Sequence, residues 1–170
     1  MLKLVSPAEE YRSQIREIMD EWTATGEKIV PFSICRLDYR DFSTYLEGFF
    51  EETKGLPGFV KASTFFCLDT ERDIFVGAVN IRHELNERLL LNGGHIGDGV
   101  RPSERKKGYA TQMIALALEE CRALGIAQVL MVCNRNNIAS AKSIMKNGGV
   151  LENEVEVDGE FEQRYWIDIL

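Results

Sequence analysis

The run Val100-Arg101-Pro102-Ser103-Glu104-Arg105-Lys106-Lys107-Gly108-Tyr109-Ala110-Thr111 holds the residues best placed to do chemistry. Between positions 101 and 107 it has four basic residues and one acid, in a chain whose 20 Lys+Arg are outnumbered by 27 Asp+Glu. A strand-like pattern precedes the run and an amphipathic helix pattern follows it. The first turn of a helix leaves N–H groups unpaired, its dipole favours an anion there, and Gly108 lets a ligand approach the backbone. These features together describe a pyrophosphate cradle. The spacing is not GxxxxGK[ST] and no GxGxxG is present, so the P-loop and the dinucleotide turn both fail. Arg-x-x-Gly-x-Ala alone fixes only three positions and also suits a solvated basic turn. Its place at a strand-to-helix switch favours the phosphate reading.

A second segment carries related information. Val129–Cys133 is apolar on both faces, as a buried parallel strand is, and is followed by Asn137-Ile138-Ala139-Ser140 and then Gly148. The first run resembles the acetyl-CoA signature of the GNAT N-acetyltransferases, Arg/Gln-x-x-Gly-x-Gly/Ala, with Arg105, Gly108 and Ala110 at its fixed places. The second is similar to that family's Asn-x-x-Ala/Ser segment beside the pantetheine arm. The resemblance covers about 74–150 well and the whole chain in element order.

That resemblance implies an acetyl donor, acetyl-CoA, and an acceptor that is a small-molecule or peptide amine. It implies direct attack by the amine, with no acyl-enzyme. The strand His95–Arg101 is expected to splay from its parallel neighbour Gln128–Cys133. Amides near Asp98 and Val100 then hold the cofactor arm and polarise the carbonyl. The implied cofactor residues are Arg105, Lys106, Lys107, Gly108, Tyr109, Ala110 and Thr111, supported by Val100, Asn137 and Ser140. The family's sulfur-protonating Tyr, seven residues after the Asn, is replaced by Ile144. Two other readings stay open: a CoA-binding sensor without turnover, and a phosphate-binding protein unrelated to acylation.

An ammonium is not a nucleophile, so a group must accept its proton. His95, Asp98 and Glu84 are the catalytic candidates, with His83 beside them. By strand alternation His95 points opposite to Asp98. Each also suits a plainer role, the histidines as half-buried strand residues and the acids as solvent-facing carboxylates. The acids Glu152, Glu154, Glu156, Asp158, Glu160 and Glu162 alternate near the C-terminus. They form either the wet face of an edge hairpin or a field attracting a cationic amine.

Composition bounds these readings. At 170 residues, 45% hydrophobic and 28% charged, the chain suits one domain, and roughly 70% of its extended surface is lost on folding. A net charge of −7 repels a phosphate backbone, so no nucleic-acid partner is expected. No apolar run approaches the roughly 18 residues that span a bilayer. Two histidines and four unpaired cysteines leave no familiar metal site. The start carries no signal segment, which points to the cytoplasm.

The elements that must position these groups follow from periodicity. Leu2–Val5 reads as a strand and Ser6-Pro7 as the cap and first residue of a helix with Tyr11, Ile15, Ile18, Met19 and Trp22 inward, stopped at Gly26. The aromatic stretch 38–53 reads as a second helix, mostly core. Strands are expected at 63–68, 74–83 and 95–101, helices from about 108 to 124 and 138 to 146, and closing strands at 150–157 and 161–169. For the last hairpin, burial of one face favours a three-residue loop, 158–160, pairing Val157 with Phe161 and Leu151 with Ile167. The fold class is α/β: a mixed, mostly antiparallel sheet with one central parallel strand pair and helices on both faces. One N-acetyltransferase domain is expected over 1–170. The donor core lies at about 74–150, with the acceptor side mainly in 1–60 and 150–170. Edge strands at the C-terminus can pair in a homodimer.

Overall fold

Alternation in Phe65-Phe66-Cys67-Leu68 sends neighbouring side chains to opposite faces of a sheet. The computed structural model, which describes all 170 residues, shows two cores built this way. Strands β1 (Leu2–Val5), β2 (Ala62–Asp69), β3 (Ile74–Arg82) and β4 (Ile96–Val100) form an antiparallel sheet in that order. Helices α1 (Arg12–Thr25) and α2 (Phe42–Lys54) cover one face, burying Ile15, Ile18, Trp22, Tyr45 and Phe49 against Phe66, Phe75 and Ala78. On the other face lie α4 (Tyr109–Ala123) and α5 (Ile138–Lys146), where Met113, Ile114 and Ala117 pack on Cys67, Val76 and Val79. A second sheet has the order β5 (Gln128–Asn134), β7 (Glu160–Asp168), β6 (Val150–Val157). No helix is long and apolar enough to cross a membrane.

Four expectations change. The first helix begins at Arg12, not at Pro7, because Ala8 stays extended (φ −152°, ψ 162°) and a 3₁₀ turn, Glu9–Tyr11, intervenes. The second begins at Phe42, where the Asp41 carboxylate accepts from the Thr44 N–H and caps it. A short helix, α3 (Glu87–Asn92), was not anticipated. Asn86 caps it, accepting from Leu89 N–H at 2.9 Å.

The fourth is the closing hairpin. Val157 opposes Glu160 and Val155 opposes Glu162, so the loop is the two residues Asp158-Gly159. Both have positive φ, 51° and 80°, as in the primed turns whose twist matches a hairpin. A bulge at Glu152 then sets Leu151 against Tyr165 rather than Ile167. The longer loop rested on burial fixing the register. Val150 and Leu151 are 70% and 45% exposed, so β6 has no buried face to do so and the turn decides.

The expected parallel pair, β4 beside β5, is not a hydrogen-bonded ladder, since every ladder is antiparallel. The two strands meet only at an isolated bridge between Gly94 and Met131 and where His95 N–H donates to Leu130 O at 2.7 Å.

Candidate active site

The gap between β4 and β5 follows from hydrogen-bond alternation. Arg82 N–H donates to His95 O at 2.7 Å and Arg101 N–H to Val76 O at 2.8 Å. Bonded and non-bonded pairs alternate in an antiparallel ladder, so Gly97 and Gly99 also turn their polar groups toward β3. Ile96, Asp98 and Val100 therefore turn theirs toward β5. On β5 the same alternation leaves Val132 and Asn134 facing β4, while Leu130 N–H donates to His95 Nδ1 at 2.9 Å. Beyond that clasp the strands form a slot. Its α1 side is closed by Val30, whose carbonyl oxygen sits 1.9 Å from where a Cβ on Gly99 would lie. Only glycine fits there.

The turn after β4 is held from beneath by carboxylates. Glu21 pairs with Arg101 at 2.9 Å and accepts from Ser103 N–H and Oγ. Burial, the largest single influence, pushes its pKa up, but the Ser103 and Arg101 hydrogen bonds and the Arg101 charge together outweigh it and lower the pKa. Buried Glu104 takes both guanidinium nitrogens of Arg72, at 3.0 and 2.9 Å, and Lys107 at 3.0 Å. Its pKa is lowered, chiefly by the Arg72 hydrogen bonds. Arg105 pairs with Glu27 at 2.8 Å. Of the basic residues in the run, only Lys106 lacks a carboxylate partner.

Lys106 (φ 64°) and Gly108 (φ 80°) are both left-handed and curl the chain into α4. Gly108 occupies the N-cap of α4, no side chain caps the helix, and nothing lies within 4 Å of a Cβ built there. The N–H groups of Arg105 through Thr111 find no partner in the protein. With the edge at Asp98 and Val100 they give the slot and the turn two sets of free donors, separated by the bonded residues 101–104.

An open cleft of about 480 Å³ follows these donors. It brings together Asp98, Val100, Arg105, Gly108, Asn137 and Ser140, and Lys106, Tyr109 and Ala110 border it. Asn137 also caps α5, accepting from Ser140 N–H at 3.1 Å. The Tyr109 hydroxyl accepts from Arg72 at 2.8 Å. Two expected cofactor side chains are engaged elsewhere. Lys107 is held by Glu104, and Thr111 Oγ1 donates to Ser143 Oγ at 3.2 Å, tying α4 to α5. The sequence reading missed the α1 side of the cleft. Trp22 had looked like an ordinary core position, yet it forms part of the wall and its buried Nε1–H has no partner. Unpaired amides and free space at Gly108 together fit a ligand rich in acceptor oxygens.

The acid–base candidates separate. Asp98 borders the cleft with no hydrogen bond or ion pair, and burial pushes its pKa up to about 6. His95 is buried and its Nδ1 already accepts from Leu130 N–H. Burial, with Arg82 nearby, takes its pKa down to about 4. It is placed as a clasp between strands, which speaks against a role as base. Glu84 is exposed beyond the end of β3, at the far end of the β3–β4 ladder from the cleft. That position speaks against it too. His83 Nε2 is 2.7 Å from Ser63 Oγ. Glu162 is half-buried, and burial, then the Glu160 charge, raises its pKa.

Comparison with known proteins decides the family. Residues 4–150 match the family model described as the acetyltransferase (GNAT) domain. The chain belongs to the GNAT acetyltransferase family. Among solved structures this GNAT chain is similar to RimL, a ribosomal L7/L12 α-N-protein acetyltransferase solved with coenzyme A in disulfide linkage to a cysteine. The TM-score is 0.68 and the identity 16%, covering 99% of this chain and 94% of that one. It is also similar to MccE, a microcin C7 self-immunity acetyltransferase solved with acetyl-CoA and AMP (0.65, 16%, 99% and 92%). A third is the spermidine/spermine N-acetyltransferase SpeG from Vibrio cholerae (0.64, 16%, 99% and 95%). At these identities the likeness speaks for the fold. No curated protein matches the chain significantly in sequence.

Within this GNAT chain, Ile144 is fully buried under the second sheet and offers the cleft nothing. The hydroxyls of Ser140 and Ser143 on the same helix do border it. The Glu104 anchor gives a stability test. Glu104→Ala leaves the Arg72 guanidinium without its bidentate partner. Because Arg72 is 41% exposed and keeps Asp69, solvent moderates the loss, which is read as a lower denaturation midpoint at pH 7. Glu104 has a lowered pKa, so its contribution is present above the normal carboxylate range and lost as pH falls through the folded value. The wild-type and variant midpoints therefore converge in acid.

Proposed function

We propose that the chain transfers an acetyl group from acetyl-CoA to a primary amine by direct attack within a ternary complex. The observation that carries this reading is two runs of unpaired amides on one cleft, at Asp98 and Val100 on the β4 edge and from Arg105 into the first turn of α4. The amides of Arg105–Thr111 hold the pyrophosphate, with Lys106 as the one unpaired cation. The amides of Asp98 and Val100 hold the pantetheine arm and donate to the thioester oxygen as charge develops on it. Acetyl-CoA supplies an acyl group already activated as a thioester.

Asp98 is the base. It takes the proton that makes the acceptor ammonium a nucleophile, the new C–N bond forms, and the C–S bond breaks. The nitrogen sheds its second proton as the amide forms, and that proton passes through Ser140 or Ser143, or water admitted by the open cleft, to the thiolate. This is an undemanding step, since thiols lose their proton only near pH 8.5.

Thermal denaturation tests the donor site first. Acetyl-CoA at 100 times its Kd adds about 2.7 kcal/mol, a rise of roughly 5–10 °C for a chain of this size, while ATP and NAD leave the midpoint in place. Thiol release on adding amines then separates an enzyme from a CoA-binding sensor. An absent acetyl-CoA shift overturns the donor site, and a shift without thiol release from any amine overturns turnover.

A further inference from the structure

A second cavity, of about 130 Å³, lies on the α2 side of β2 and β3. Its polar wall is Arg36, Arg82, Arg88, Glu52, Asn80 and Ser33. Apart from Asn86, the rest is apolar, with Phe32 and Phe59 at an exposed rim. None of the three arginines forms an ion pair, whereas Arg72, Arg101, Arg105 and Arg164 all do. Arg82 is half-buried and reaches only the carbonyls of Gly93 and Gly94, at 3.3 and 3.4 Å. Arg36 donates to Gly48 O at 3.2 Å, and Arg88 has no partner.

The one acid in the cavity does not balance them. The Glu52 carboxyl is spent on Thr64 Oγ1 at 2.8 Å and Asn80 Nδ2 at 2.7 Å, and burial raises its pKa. Burying a charge is costly unless it is paired, so a half-buried guanidinium flanked by two more is a site awaiting an anion. The same wall adjoins the slot. Arg82 Nη2 lies 3.1 Å from where a Cβ on Gly97 would be, so the wall reaches β4.

We infer that this cavity binds the carboxylate of the amine acceptor, and that the acceptor is a small free amino acid with an apolar side chain. The inference rests on the proposed acetyl transfer and names the acceptor class for it. Guanidinium groups match a planar carboxylate with two parallel hydrogen bonds, and the Glu52 carboxyl disfavours the larger charge of a phosphate. The side chain lies against Leu56, Phe59 and Leu89. The amine points toward β4.

Calorimetric titration with L-leucine, L-leucinamide, 3-methylbutylamine, glycyl-L-leucine and spermidine tests this, with Arg88→Gln and Arg82→Met alongside. L-leucine is expected to bind at least about tenfold more tightly than its amide, the scale of one charge-assisted hydrogen bond. That preference collapses in Arg88→Gln, an exposed position whose loss leaves the fold intact should Arg82→Met not fold. Equal affinity for acid and amide, no binding of L-leucine, or preference for spermidine or the dipeptide overturns the inference. The acetyl-CoA thermal shift is read on the same samples. If it persists, only the acceptor assignment has failed; if it is absent from the wild type, the donor reading has failed.

Discussion

Gly108→Asp loses acetyl-CoA binding by a factor of at least about one hundred and keeps its fold. The fold survives because nothing lies within 4 Å of a Cβ at this position. The left-handed backbone (φ 80°) costs Asp about 1 kcal/mol, and a carboxylate at the uncapped start of α4 recovers a similar amount by accepting from the helix amides. The apo midpoint therefore stays within roughly 3 °C of wild type. The same hydrogen bonds are what defeats the ligand. The new carboxylate occupies donors meant for phosphate oxygens and adds a like charge. Gly108→Ala separates the effects, since it carries the backbone strain without the charge and retains most of the affinity. Undiminished acetyl-CoA binding by Gly108→Asp places the phosphates elsewhere.

Asp98→Asn moves activity and stability in opposite directions. As the base, Asp98 must be ionised, so kcat/KM of the wild type climbs through its pKa of about 6 and levels off above it. The Asn variant falls by about a hundredfold or more on the plateau and loses that limb. Stability runs the other way. A carboxyl whose folded pKa lies above its unfolded value of 3.8 contributes most when protonated, and that contribution is lost as pH rises through about 6. At pH 7.5 the wild type carries an ionised, unpartnered carboxylate in the cleft, which Asn removes. The gain is up to about 3 kcal/mol, or roughly 5–10 °C in Tm, and it vanishes near pH 4. A variant that keeps the acid limb of the rate profile shifts the base role to another group, with half-buried Glu162 the next to test.

The donor site was legible in the sequence and the second cavity was not, for a physical reason. The donor site is backbone chemistry, and backbone chemistry leaves marks: Gly108 where φ is positive, Ala110 on a helix start, Asn137 capping the next helix. Asp98 was picked out by its strand position alone. His95 and Glu84 could not be separated from it, because alternation gives the face of a residue but not which edge of β4 is unpaired or where β3 ends. Glu21, Glu27 and Trp22 were invisible as site residues since their contacts span some 80 positions of chain, as in the Glu21–Arg101 bond. The second cavity was missed similarly. Arg36, Glu52 and Arg82 come from a loop, a helix and a strand, and nothing local marks them as neighbours. The hairpin register failed for a different reason, since its argument needed a buried face that β6 lacks.

The Glu21–Arg101 and Glu27–Arg105 pairs have a bearing on redesign. They fasten the first helix and the connection after it to the loop proposed to receive the nucleotide end of the donor. A chimera that exchanges the N-terminal forty or so residues to alter acceptor choice removes two struts of the donor loop with them. Any such graft has to bring its own acids to these two arginines, or donor affinity will drift along with acceptor preference.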